Sequence, residues 1–184
     1  MSQIKDEIFI LLKLLLKERP REILEIGTAE GGTLFLFSRV ADMNAMLISV
    51  DMPGGPFGGG YPAWKIPLYK SFAWERQNIK LIRADSHNPE TFEAVKKTLS
   101  YRSLDFLFID GDHSYEGVKS DFEMYAKLVR RGGIVALHDI VPHPPETGCE
   151  VNKFWEEIKD KYHCLEIVKN WTQEWGGIGV IYVE

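Results

Sequence analysis

The chain predicts an α/β domain: a mostly parallel sheet of seven strands, helices on both faces, and an antiparallel strand at the end. Three observations lead there. Short runs rich in Ile, Leu, Val and Phe alternate with segments whose apolar residues recur at helical spacing. Several of those runs finish on an acidic residue, Asp51, Asp85, Asp110 and Asp139, followed by a turn or a polar loop. The final two runs are joined by a link too short for a crossover, so they must pair antiparallel. A length of 184 residues fits one domain with a sizeable core, and residues 1–184 are read as one.

Taken in order, Ile4, Ile8, Leu11, Leu12, Leu15 and Leu16 mark an amphipathic helix from Ser2 to Glu18, which either packs on the sheet or makes a dimer contact. Pro20 stops it. Ile23 to Ile26 is the first strand, Gly27 to Gly32 a glycine-bearing loop, and Thr33 to Val40 a helix. Ala45 to Asp51 is the second strand. Met52 to Pro67 is too dense in glycine and proline for a helix or a central strand and reads as a lid loop, with Phe57, Tyr61 and Trp64 as its apolar surface. Leu68 to Gln77 is expected as helix and Ile79 to Asp85 as strand, and Ser86 or Asn88 caps the helix from Pro89 to Leu99. Leu104 to Asp110 is a nearly continuous apolar strand of the kind covered on both faces. A polar loop then leads to a helix from Val118 to Val129, which Arg130 to Gly133 should end. Ile134 to Asp139 is the fifth strand and Val151 to Tyr162 a helix. Cys164 to Lys169 and Gly177 to Val183 are the closing pair.

Composition narrows the function classes. A net charge of -5 leaves no excess of Lys and Arg for general nucleic-acid binding. The apolar run Ile8 to Leu16 is interrupted by Lys13 and too short to span a bilayer, and no signal-peptide pattern is present, so no membrane association is expected. Two cysteines form no disulfide framework and suggest reduced thiols in a cytoplasmic protein. His143 with Cys149, and His163 with Cys164, lack paired ligand spacing and read as incidental.

The loop after the first strand is where open α/β sheets bind nucleotides. Gly27-Thr28-Ala29-Glu30-Gly31-Gly32 is a degraded dinucleotide fingerprint, and its charges disagree with a diphosphate, since Glu25 stands at its mouth and Glu30 within it. Carboxylates there favour a ligand with a sulfonium and an ammonium group, as S-adenosylmethionine has. Asp51, about twenty residues on, either accepts from ribose hydroxyls or caps a turn. Asp85 with Ser86 could meet the adenine amino group.

With Glu25-x-Gly27-x-x-x-Gly31-Gly32, Asp51, Asp85 and the reversed last strand in view, the chain resembles the class I S-adenosylmethionine-dependent methyltransferases over essentially its whole length. Ile109-Asp110-Gly111-Asp112-His113-Ser114-Tyr115-Glu116-Gly117-Val118, with His138-Asp139, is similar to the macrocin O-methyltransferase and cephalosporin hydroxylase-like group, which in turn resembles catechol O-methyltransferase. The resemblance implies a Rossmann-like sheet and divalent-cation-dependent O-methylation of a sugar or phenolic hydroxyl. It places Glu25, Gly27, Thr28, Gly31, Gly32, Thr33, Asp51, Asp85, Ser86 and Asp110 around the cofactor. Asp110 and Asp139 would hold Mg²⁺. His138 stands where the family carries an oxygen ligand, and it is either a ligand, which suits Mn²⁺, Fe²⁺ or Zn²⁺ better, or a packing residue.

Asp112, then His113, are the candidates for the general base, and either could instead cap the following helix. Tyr61, Trp64, Trp171 and Trp175 either stack on the acceptor or pack in the core. Competing readings are an NAD(P)-dependent oxidoreductase and a non-catalytic S-adenosylmethionine-binding module. Assembly as a homo-oligomer through the N-terminal helix is the expected alternative to its packing on the sheet.

Overall fold

The computed structural model describes residues 3–184. One seven-stranded sheet has the order β3-β2-β1-β4-β5-β7-β6, with β1 Glu22–Ile26, β2 Met46–Val50, β3 Asn78–Ile82, β4 Leu104–Ile109, β5 Val129–His138, β6 His163–Ile167 and β7 Ile178–Tyr182. The pairs β1–β2, β1–β4, β2–β3 and β4–β5 are parallel, and β7 runs antiparallel to both β5 and β6. The chain order reverses between β1 and β4, and their carboxyl ends therefore flank a crevice.

Alternation along the strands loads both faces. Helices α4 Pro89–Thr98, α5 Tyr115–Tyr125 and α6 Val151–Ile158 cover one face, with Val95, Phe122, Phe154 and Trp155 packed on Leu24, Leu107 and Val135. Helices α1 Lys5–Glu18, α2 Gly32–Val40 and the short α3 Ile66–Lys70 are set against the other, where Ile8, Leu11, Leu34, Phe37 and Tyr69 share a core with Ile23, Phe106 and Phe108. Asn88 caps α4 by accepting from the Glu90 N–H at 2.8 Å, with Pro89 in the first turn.

Several expectations need correction. The start of α1 expected at Ser2 lies outside the described residues. Leu16, assigned to the apolar face, is exposed, whereas Glu7 is buried and accepts from the N–H groups of Lys169 and Gly177 and from Gln173, tying α1 to the β6–β7 connection. Arg130 to Gly133 belong to β5: Gly132 donates to Val183 O at 2.6 Å and Val183 to Gly133 O at 3.0 Å, so tertiary pairing overrides the helix-stop appearance of this run. The end of the glycine-rich segment is helical, a 3-10 turn at Ala63–Lys65 leading into α3 with Pro67 in its first turn. The helix expected to Gln77 ends at Lys70. No helix among the described residues is long and apolar enough to cross a membrane.

Candidate active site at the carboxyl ends of the strands

Glycine is required where β1 ends. Gly27 has φ +88°, and a Cβ there would lie 1.9 Å from the carbonyl oxygen of Asp110. That close approach lets Gly27 N–H reach Val50 O at 2.9 Å and Asp110 N–H reach Ile26 O at 2.8 Å, so three strand ends meet. The loop that follows is held by Asp51, whose Oδ2 accepts from the N–H groups of Thr28 (2.7 Å) and Ala29 (2.5 Å). Tyr69 donates its hydroxyl to Ala29 O at 2.8 Å. The other oxygen of Asp51, Oδ1, is buried with no hydrogen-bond partner. Burial raises the Asp51 pKa, against the pull of the Ala29 and Thr28 N–H groups.

These ends open on a cleft of about 830 Å³. Of the residues expected around a cofactor, Gly27, Thr28, Gly32, Thr33, Asp51, Asp85, Ser86 and Asp110 line it. Gly31 does not, because it lies under Tyr69, whose ring a Cβ would meet at 2.8 Å. Glu25 does not either. It is fully buried within β1 beside Ser49 and Phe108, and burial, against the pull of the Thr33 and Thr28 hydroxyls, raises its pKa to about 8. The carboxylate within the loop, Glu30, is the one that lines the cleft. His87, Met52, Phe57 and Gln3 also line it, and of these only Phe57 was suggested by the sequence.

Trp175 is the one proposed acceptor aromatic on the cleft wall. Tyr61 is buried against Tyr69, ring centroids 4.7 Å apart, beneath Arg83. Trp64 is 71% exposed on the 3-10 turn. Trp171 borders a separate shallow depression with Pro142, His143 and Glu174. Phe57 does act as a cover, stacking on His113 at 5.1 Å and 13°.

At the β4–β5 end the chain turns at once after His138, with Asp139 at φ +66°, which carries both residues to one site despite strand alternation. His138 Nδ1 lies 3.1 Å from Asp110 Oδ1 and 3.2 Å from Asp139 Oδ1. His113 Nδ1 is 2.9 Å from Asp139 Oδ2, and His113 Nε2 is 3.5 Å from Asp110 Oδ1. His143 Nε2 is 3.2 Å from Asp139 Oδ1. Cys149 is buried, and its sulfur lies within 4.8 Å of ligand atoms of His113 and Asp139. Sequence spacing gave no sign of His143 and Cys149 here. They arrive because the loop after β5 is tied down by Val141 N–H to Gly176 O at 3.0 Å and Glu150 N–H to His113 O at 2.7 Å. Read as incidental, the pair His143 and Cys149 is part of the cluster.

The charges are strongly coupled. Burial lowers the pKa of His138, but Asp110 and Asp139 prevail and hold it well above the ordinary value. Burial likewise lowers the pKa of His113, but Asp139, Cys149 and Asp110 overcome it and raise the value to about 10. His143 rises to about 10 through Asp139 and Cys149. Asp139, which burial would raise, is held well below the carboxylate range, chiefly by His138. Asp112 lies outside this network. Its Oδ1 accepts from Ser114 N–H at 2.9 Å, and Ser114, not Asp112 or His113, caps α5 by accepting from Gly117 N–H.

A family model described as a methyltransferase domain matches residues 24–140. The chain belongs to this methyltransferase family. Among curated proteins, this chain is 29% identical over 143 residues to an uncharacterized protein of Sinorhizobium fredii, and 33% identical over 139 residues to an uncharacterized protein of Acanthamoeba polyphaga mimivirus. The matches take in 76% and 73% of this chain but only 15% and 59% of those relatives. Among solved structures, the O-methyltransferase from Bacillus cereus in complex with SAH shares the fold, with a TM-score of 0.69 at 18% identity, over 99% of this chain and 82% of that one. The methyltransferase-domain match spans the glycine loop, Asp51, Asp110 and the His138–Asp139 pair.

Proposed function

We propose that the chain transfers a methyl group from S-adenosylmethionine to a hydroxyl oxygen of a small molecule, a sugar or a phenol. One observation carries this reading. The cleft wall presents Glu30, Asp51, Asp85, Asp110, Asp112 and Asp139, and among its described residues no lysine or arginine. Even with His87, His113, His138 and His143 on the same wall the six carboxylates outnumber the imidazoles, so the surface attracts a cation and repels a diphosphate. Bound S-adenosylmethionine supplies an electrophilic methyl group on a sulfonium centre.

The residues fit that ligand. The unpartnered Oδ1 of Asp51 is a buried acceptor for a ribose hydroxyl, and the close approach at Gly27 keeps the loop backbone open to a ligand. Asp85 and Ser86, beyond β3, border the same cleft where the base would lie. Asp112 is the group assigned to the acceptor's proton, since it lines the cleft with its orientation fixed by Ser114. His113 turns both ring nitrogens to carboxylates, Asp139 and Asp110, and offers neither to the acceptor. Phe57 and Trp175 would shield the acceptor from water.

A divalent cation was expected with this chemistry. Asp110, His138 and Asp139, the set expected to hold it, do come together, with donor atoms within 4.8 Å of one another, but Mg²⁺ takes oxygen ligands and keeps several waters, whereas the groups packed against these two carboxylates are imidazoles. The donor set does not fit Mg²⁺, and no step is routed through it.

The oxidoreductase alternative has a sequence feature in its favour, two Tyr-x-x-x-Lys pairs at Tyr61/Lys65 and Tyr115/Lys119. Neither borders the cleft: Tyr115 donates to Glu157 with Lys119 Nζ over its ring, and Tyr61 is buried.

Calorimetric titration with S-adenosylhomocysteine and with NADH discriminates the readings. Binding of the first and none of the second is expected, and the opposite pattern overturns the proposal. Transfer of labelled methyl from S-adenosylmethionine to a panel of phenols and sugars then distinguishes an enzyme from a binding module. Asp112→Asn should lower kcat on the order of 100-fold with the S-adenosylhomocysteine affinity unchanged.

A further inference from the structure

The geometry points to a zinc-type site, made of His113, His143, Cys149 and Asp139, at the β4–β5 end of the cleft. Candidate ligand atoms of His113, Asp139 and Cys149 lie within 4.8 Å of one another. His143 adjoins them, its Nε2 3.2 Å from Asp139 Oδ1. Two imidazoles, a thiolate and a carboxylate are the ligand types of a four-coordinate Zn²⁺. A tetrahedral ion with bonds of about 2.0–2.3 Å separates its donors by roughly 3.3–3.8 Å. His113 Nδ1 faces Asp139 Oδ2 at 2.9 Å and His143 Nε2 faces Asp139 Oδ1 at 3.2 Å, so the carboxylate stands between the two rings and must turn to give one oxygen to an ion they share.

The surroundings of the two imidazoles argue independently for a ligand role. His143 Nδ1 lies 2.8 Å from the carbonyl oxygen of Val141, which can only accept, so Nδ1 carries hydrogen and the lone pair of the neutral ring is on Nε2, toward Asp139. His113 turns Nδ1 to Asp139 and Nε2 to Asp110. A carbonyl or carboxylate behind each ligating histidine is the arrangement that fixes tautomer and ring orientation in zinc sites. His138, 3% exposed against Asp110 and Asp139, adds to this outer layer. Phe57 stacked on His113 closes one side. On binding, the Cys149 thiol gives its proton to the buffer and its sulfur to the ion. Occupancy does not depend on methyl transfer, and the proposal rests on that reading only for what an ion beside the acceptor would do.

Co²⁺ is the probe. The chelator-treated protein should take up one equivalent, with a near-ultraviolet thiolate-to-cobalt band and the intense visible bands of a tetrahedral ion, and Zn²⁺ should displace it while Mg²⁺ does not. Cys149→Ser should abolish the charge-transfer band and weaken Zn²⁺ by at least about 100-fold, and Asp110→Asn should weaken it by about 10-fold. If Cys149→Ser does not fold by circular dichroism, His143→Gln supplies the same affinity test. Weak octahedral bands without charge transfer, equal competition by Mg²⁺, or unchanged Zn²⁺ affinity in the folded variants would overturn the site. S-adenosylhomocysteine titration of the same samples keeps the two proposals apart, because lost nucleoside binding with retained zinc counts against methyl transfer alone.

Discussion

At the β1–β2 end of the cleft the polar contacts run through backbone: Asp51 collects the N–H groups of Thr28 and Ala29, and Gly27 lets three strand ends close up. At the β4–β5 end they run through side chains brought from separate loops, with His113, His138 and His143 arranged about Asp110 and Asp139. The first half is a socket whose shape is set locally by one turn. The second is an electrostatic knot that exists only when the chain has folded. Binding and reactivity therefore answer to different substitutions, and the two ends should be separable by experiment.

The largest effect is expected at the socket's narrowest point. Gly27→Ala puts a Cβ 1.9 Å from Asp110 O at a left-handed φ, and should lower stability by roughly 3 kcal/mol in denaturant titration and abolish nucleoside binding. Asp51→Ala should weaken S-adenosylhomocysteine on the order of 100-fold by calorimetry, the size of a lost hydrogen bond to a charged group, with Co²⁺ uptake at the other end unchanged. Loss of both together would break the comparison.

A smaller effect sharpens what burial does beneath the socket. The folded pKa of Glu25, about 8, lies above its ordinary 4.5, so the folded state holds that proton more tightly and stability falls as pH rises from 4.5 through 8. Glu25→Gln should remove a few kcal/mol of that pH dependence, measured by unfolding at pH 5 and pH 9. His87, raised to about 9 chiefly by its hydrogen bond to Asp121, contributes stability present below pH 6.5 and lost as pH rises through 9. His87→Gln should therefore cost about 1 kcal/mol at pH 6, limited by its partial exposure, and almost nothing at pH 10. The smallest change is Trp64→Ala, which should leave ligand affinity within about twofold, since this exposed ring lies away from the cleft.

The same division governs what could be read before folding. Apolar runs such as Leu104–Ile109 announce strands because burial on both faces demands them, and Gly27 with Asp51 is visible because loop and strand end recur at a fixed spacing. Arg130 to Gly133 misled because pairing with Val183, far along the chain, outweighs local preference. Glu25 looked like a cleft anion because spacing does not tell which face of the sheet a side chain takes. His143 and Cys149 had no readable signal, since a hydrogen bond from Glu150 to His113 brings their loop home.

The most direct measurement is the structure of the protein crystallised with S-adenosylhomocysteine. The account predicts ribose hydroxyls on Asp51 Oδ1 and the sulfur aimed at the Asp110–Asp139 end. A vacant cleft at saturating ligand, or a nucleoside lying elsewhere with Asp51 Oδ1 still unpartnered, would contradict it.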